Sequence, residues 1–172
     1  TMAAAAAAAD RAGRQHYPVH LAVDTGMRRI GCEPEEAVDI ATEAAERGLD
    51  LQGIFTHLPV SDTPRGADFT QAQLKRFLAA VEAVQRTRVS AGMQPVPLVH
   101  AANSGALLGH LKDGCTMARP GIMAYGYYPD ANESPRPVKL HPAITWQTKV
   151  STVKRVAAGE TVGYGRTWTA RF

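Results

Sequence analysis

Short apolar runs alternate with helix-period stretches along most of this chain, and that alternation predicts an architecture. Residues 19–24, 49–57, 98–102 and 116–125 are brief apolar runs that read as strands. Between them, residues 34–47 repeat apolar positions at helical spacing and stop before Gly48, with Pro34 suited to a first helical turn. Residues 68–89 predict a long amphipathic helix and residues 105–111 a short one. The opening alanine run, followed by Asp10, Arg11 and Arg14, reads as a helix ending near Gly13, because alanine is the best helix former. Helix, then strand and helix in alternation, predicts an α/β fold with a parallel sheet and helical crossovers. Pro120 and Gly121 break the regular pairing of the fourth strand.

The pattern changes beyond residue 128. Residues 129–142 are rich in proline and polar side chains and read as a linker. Residues 145–157 alternate and are rich in β-branched side chains, the chain turns at Gly159, and residues 161–169 resume the β pattern. This predicts an α/β unit over 1–128, a linker over 129–142, and the start of a β-domain over 143–172, opening on a hairpin.

Composition narrows the function classes. The 172 residues are 45% apolar and 6% aromatic, with no apolar run of bilayer length, so a soluble protein without a membrane partner is expected. The net charge of +3 comes from basic residues scattered among acids, Arg28-Arg29 being typical of the longest clusters, which argues against nucleic acid. Two cysteines, Cys32 and Cys115, have neither metal-site nor disulfide-framework spacing and read as buried thiols in a reducing cytoplasm. The opening alanines lack a basic leader and are too weakly apolar for a signal core; a start in mid-helix is what an internal fragment would show.

Chemistry collects at the ends of the predicted strands. Asn103-Ser104-Gly105 lies between a strand and a helix, where unpaired backbone N–H groups favour an anion and Ser104 adds a hydroxyl donor. Arg119-Pro120-Gly121-Ile122 offers a second set of backbone donors at a glycine. Taken singly, Ser104 also fits a helix cap and Gly121 a packing turn. His57 ends the second strand, where a metal ligand or a general base are further readings, but no companion side chain sits at ligand spacing and no metal is expected. Arg119 alone fits a surface or salt-bridge residue equally well.

Taken together, HLAVDTGMRRIG, GIFTHLPVSD, VHAANSGALL and MARPGIMAYG resemble the bacterial alanine racemases, barrel-type enzymes that use pyridoxal phosphate. The resemblance implies a partial β/α (TIM-type) barrel, roughly its second half with strands five through eight, followed by the start of the C-terminal β-domain. A whole barrel takes roughly 250 residues. It implies that Asn103, Ser104, Gly121 and Ile122 bind the cofactor phosphate, that His57 packs on the pyridine ring, and that Arg119 donates to the ring nitrogen. Arg29, following Asp24-Thr25-Gly26-Met27, matches the arginine that bonds the cofactor's phenolic oxygen and positions the substrate carboxylate. Ala22 stands where many family members carry a carbamylated lysine that orients this arginine, so another group, such as Asp24 or an anion, must hold Arg29.

Racemisation in such enzymes uses two bases, the cofactor's lysine and a tyrosine from a partner subunit. Lys75, Lys112, Lys139, Lys149 and Lys154 do not fall at strand ends, and Tyr164 matches a structural turn ahead of the family tyrosine. Both bases are therefore expected outside this chain, which alone would be inactive. The full-length parent is expected to be a cytoplasmic homodimer interconverting L- and D-alanine for peptidoglycan synthesis. A racemase of serine or another amino acid, and a non-catalytic cofactor- or anion-binding half-barrel, are the alternatives.

Overall fold

A computed structural model describes residues 2–109, 114–130, 136 and 138–172. The chain opens with helix α1 (Met2–Arg11), followed by strand β1 (Pro18–Ala22), helix α2 (Ala37–Glu46) and strand β2 (Asp50–Phe55). Helix α3 (Ala67–Ser90), strand β3 (Leu98–His100) and helix α4 (Ser104–Leu108) complete the layered region. The three strands form a parallel sheet in the order β1-β2-β3. The α/β alternation read from the sequence is therefore present as a parallel sheet with helical crossovers.

The strand pattern determines which face is covered. Leu21, Leu51, Ile54 and Val99 point to the helical side, where they are buried with Leu74, Phe77, Val81 and Val84 of α3 and Ala37 and Ala41 of α2. Small alanines on α2 let that helix lie close to the sheet, while Phe77, with no exposed surface, fills the space beneath α3. Complete burial of a side chain that size contributes roughly 2–3 kcal/mol in transfer free energy. The alanines of α1 form a satellite cluster in which Ala6 and Ala9 meet Ala44 and Leu49. His20, Gly53, Phe55 and His100 occupy the opposite face of the sheet by the register of the strands.

Four expectations are corrected. The fourth strand expected over residues 116–125 does not form. Thr116 and Met117 donate to the Val99 carbonyl and Arg119 to that of Ala102, so this segment follows β3 without a regular ladder. It then coils into a 3₁₀ turn at Ile122–Tyr125, after Pro120, which has no N–H to offer a ladder. The helix expected over 105–111 runs Ser104–Leu108, and residues 110–113, with Lys112, lie outside the described residues.

The hairpin expected from residues 145–157 is also absent: that segment has no strand, and Trp146, Val150 and Val153 are 92%, 81% and 87% exposed. Residues 161–169 instead close on themselves, as strands β4 (Thr161–Val162) and β5 (Trp168–Thr169) pair antiparallel around a 3₁₀ turn at Tyr164–Arg166. β-branched alternation forms a strand only where another layer takes its apolar face, and among the described residues none covers 145–157. Part of the expected linker, residues 131–135 and 137, lies outside the described residues. Cys32 and Cys115 are free and half-buried rather than buried.

Candidate active site

The loop after β1 is built around Asp24. Its Oδ1 accepts the Gly26 and Arg28 N–H groups at 2.8 and 3.1 Å, folding residues 24–28 into a compact turn. Burial works to raise the Asp24 pKa, but these backbone donors and the Arg28 charge outweigh it and hold the carboxyl below its usual value. The loop closes as Asp24 N–H donates to the Cys32 carbonyl at 2.7 Å and Cys32 N–H to that of Ala22 at 3.0 Å. Gly31 sits at φ +114°, and a Cβ there would come within 2.8 Å of the Asp24 nitrogen. Arg28 ion-pairs with Glu33, which also lies 3.8 Å from Arg76 on α3.

Arg29 is exposed on this loop, and among the described residues it forms no ion pair. Asp24, one of the groups expected to hold it, is engaged with the loop's own amides. Ala22 contributes its carbonyl to the loop closure and brings no charge. Arg29 nonetheless lies near enough to His57 for its charge to help lower the histidine's pKa, after burial and Arg119.

At the ends of β2 and β3 the polar groups converge. Arg119 Nη2 donates to the Thr56 carbonyl at 2.8 Å and lies 3.4 Å from His57 Nδ1, while Nη1 lies 2.6 Å from His100 Nδ1. Its guanidinium carbon is 5.3 Å from the centroid of Phe55, whose ring stacks on His100. No carboxylate reaches Arg119 among the described residues. The structure thus brings His57 and Arg119 together.

Ser104 anchors the other donor set. Its buried hydroxyl oxygen accepts the Gly121 and Met123 N–H groups at 3.0 and 3.2 Å, tying the start of α4 to the 3₁₀ turn that contains Ile122. Asn103 caps α4 by accepting Ala106 N–H at 3.1 Å and donates to the Leu58 carbonyl at 2.8 Å; Ser61 donates to it at 2.7 Å. Asn103 therefore holds the loop after β2 against α4. Because α4 has only five residues, its dipole is small.

The sequence reading missed the polar brace behind these loops. Thr25 and Thr56 share a hydroxyl bond of 2.8 Å, and Gln73 of α3 donates to Thr25 Oγ1 and to the His57 carbonyl, both at 3.3 Å. Gln73 is 1% exposed in an otherwise amphipathic helix, so a glutamine on the apolar stripe was the available signal. Tyr164 is fully exposed, in the 3₁₀ turn between β4 and β5. Among the described residues, no cluster of three metal-ligating side chains occurs and no helix is long and apolar enough to cross a membrane.

Hydrogen-bonding side chains thus gather at the C-terminal edge of a parallel α/β sheet, the edge at which open α/β folds place their ligand sites. The chain belongs to the alanine racemase family: the model for the alanine racemase N-terminal domain matches residues 1–129. It is 48% identical over 154 residues to the alanine racemase of Cutibacterium acnes, covering 88% of this chain and 39% of that one. Among solved structures, alanine racemase from Streptomyces coelicolor A3(2) superposes with a TM-score of 0.73 at 31% identity, covering 99% of this chain and 44% of that chain. Alanine racemase from Bacillus anthracis, solved with bound L-Ala-P, gives 0.70 at 30% identity, covering 99% and 43%. The chain thus spans about 40% of the length of the relatives it matches.

Proposed function

We propose that this chain is the cofactor-binding part of a pyridoxal 5'-phosphate-dependent alanine racemase, and that its sheet belongs to a β/α barrel. The carrying observation is Arg119, half-buried at the strand ends, flanked by two histidines and without a carboxylate partner among the described residues. The groups present fit the cofactor in two respects. Ser104 Oγ accepts the Gly121 and Met123 N–H groups and keeps its own hydroxyl proton to donate to a phosphate. Arg119 supplies donors for a ring nitrogen.

When bound, the cofactor supplies an electron sink for negative charge at the substrate α-carbon. Ser104, Gly121 and Ile122 would hold its phosphate, with Asn103 setting the turn. His57 would pack on the ring. Arg119, which stays protonated, would donate to the ring nitrogen. Arg29 orients the substrate carboxylate from the exposed loop. The two proton-transferring groups, a lysine and a partner subunit's tyrosine, are supplied by parts of the parent protein outside this sequence.

On this reading the parent acts as a cytoplasmic homodimer on free amino acids, providing D-alanine for peptidoglycan. The family match and the L-Ala-P bound to the Bacillus anthracis relative support it. The test is to assay the full-length protein, supplied with pyridoxal phosphate, for interconversion of alanine enantiomers. Arg119→Ala is expected to lower turnover while cofactor binding persists, and Ser104→Ala to weaken cofactor binding. No racemisation of alanine by the full-length protein would overturn the assignment.

A further inference from the structure

The open face of the sheet carries a chain of hydrogen bonds that leads away from Arg119. His100 Nδ1 lies 2.6 Å from Arg119 Nη1, and His100 Nε2 lies 2.9 Å from His20 Nδ1. A guanidinium can only donate, so His100 Nδ1 must accept. Its single proton then resides on Nε2, which donates to His20 Nδ1, and His20 in turn carries its proton on Nε2. One arginine thereby fixes the tautomers of two imidazoles in series. A doubly protonated His100 would lose the bond from Arg119, since Nδ1 would then face the guanidinium as a second donor and bring a like charge against it.

The sheet is built to hold this arrangement. His100 is 3% exposed and its ring lies parallel to Phe55, with centroids 5.0 Å apart and an interplanar angle of 5°. Gly53 in the middle of β2 carries the second observation. A Cβ at that position would come within 2.3 Å of His20 Nδ1, so the strand lacks a side chain where the imidazole crosses it. Glycine weakens a strand interior, and here its use is the close approach of the ring. Burial, then the charge of Arg119, lower the His100 pKa to about 4, in keeping with a neutral acceptor.

We propose that His100 is a positioning residue for Arg119, and that His20, seated over Gly53, accepts the Nε2 proton of the His100 tautomer that plays that part. With Nη1 held by His100 and Nη2 by the Thr56 carbonyl, the guanidinium is fixed by two strands and its plane cannot swing. The inference rests on the proposed racemase reading for its effect on turnover. The tautomer prediction stands without it.

The experiment has two arms. Long-range ¹H–¹⁵N spectra of the full-length protein labelled at histidine nitrogen, with His100 assigned by its loss in His100→Gln, should show an unprotonated Nδ1 and a protonated Nε2 at neutral pH. A proton on Nδ1, or rapid exchange between tautomers, would overturn the proposal whatever the protein catalyses. The second arm compares two replacements in alanine racemisation. In His100→Asn the side-chain oxygen takes the place of Nδ1 and can still accept from Arg119; in His100→Gln the amide reaches toward His20 and leaves Arg119 without that acceptor.

His100→Gln is expected to lower kcat about 10- to 100-fold, the range found when an outer partner of a working group is lost. His100→Asn should recover at least half of that loss on a logarithmic scale, and cofactor affinity should stay within about threefold in both, since the phosphate donors are untouched. Equal losses in the two variants, or kcat unchanged in His100→Gln, would overturn it. If the unsubstituted protein does not racemise alanine, the functional reading fails while the spectra still decide the tautomer.

Discussion

The region around the parallel sheet and the C-terminal region from residue 143 are both rich in β-branched and aromatic residues, yet they fold to different degrees. Leu21 and Ile54 of the sheet are 3% and 0% exposed, whereas Trp146 and Val153 are 92% and 87% exposed. The sheet's apolar face is covered by α2 and α3, which follow directly from the strands they cover. The C-terminal segment has alternation without a covering layer, and its only strands are the pairs Thr161–Val162 and Trp168–Thr169. Pattern proposes an element; an apposed surface makes it stable.

Substitution at the two extremes breaks this comparison most sharply. Phe77→Ala in the full chain should lower unfolding free energy by about 3–5 kcal/mol, because the ring is wholly enclosed beneath α3. Trp146→Ala should change it by less than about 0.5 kcal/mol in the same urea titration. Comparable losses would show that the C-terminal segment is packed against something as firmly as the sheet is.

Acid should act on the sheet region next most strongly. His100, with its pKa lowered to about 4, and His57, also lowered, take up fewer protons when folded than when unfolded. Stability is therefore full above pH 6.5 and falls as pH drops from there toward 4, with roughly 3 kcal/mol at stake for His100. Asp24, whose pKa is also lowered, adds a further loss below about pH 4. Unfolding midpoints measured from pH 7.5 to 4 should decline, and His100→Gln should flatten the upper part of that decline.

A smaller effect is expected at Gly31. Alanine there must adopt φ +114° and press its Cβ against the Asp24 nitrogen, costing about 1–3 kcal/mol and loosening the Arg29 loop. Limited proteolysis near residues 24–32 reads that loosening directly. The smallest effect belongs to Arg86→Ala, which removes an exposed pair with Glu82 on α3 and should shift stability by less than about 0.5 kcal/mol.

How far the sequence could be read follows from what each feature depends on. The helices α2 and α3 and the strands β1 to β3 were legible because their apolar periods are local and their covering layers adjacent. The place of His57 just beyond β2 and the turn at Asn103-Ser104 were legible because polar residues interrupt those periods. Illegible were contacts whose meaning comes from a distant segment. Gly53 reads as a flaw in a strand until His20 is seen lying across it, and Gln73, a polar residue on an apolar stripe, has no partner until Thr25 and the His57 carbonyl are found beside it. The fourth strand failed for a similar reason, since Pro120 and Gly121 act only once the edge they would extend is known.

The polar brace on α3 has a mechanical consequence. Gln73 reaches Thr25 on one loop and the His57 carbonyl on another, and Arg76, one turn on, donates to the Thr25 carbonyl at 3.4 Å. The loop bearing Arg29 and the strand end bearing His57 thus stand on one shared footing. A sideways slip of α3 carries both in the same direction, preserving the spacing between them while shifting both relative to Arg119. The helix works as a common datum from which two separate loops take their position.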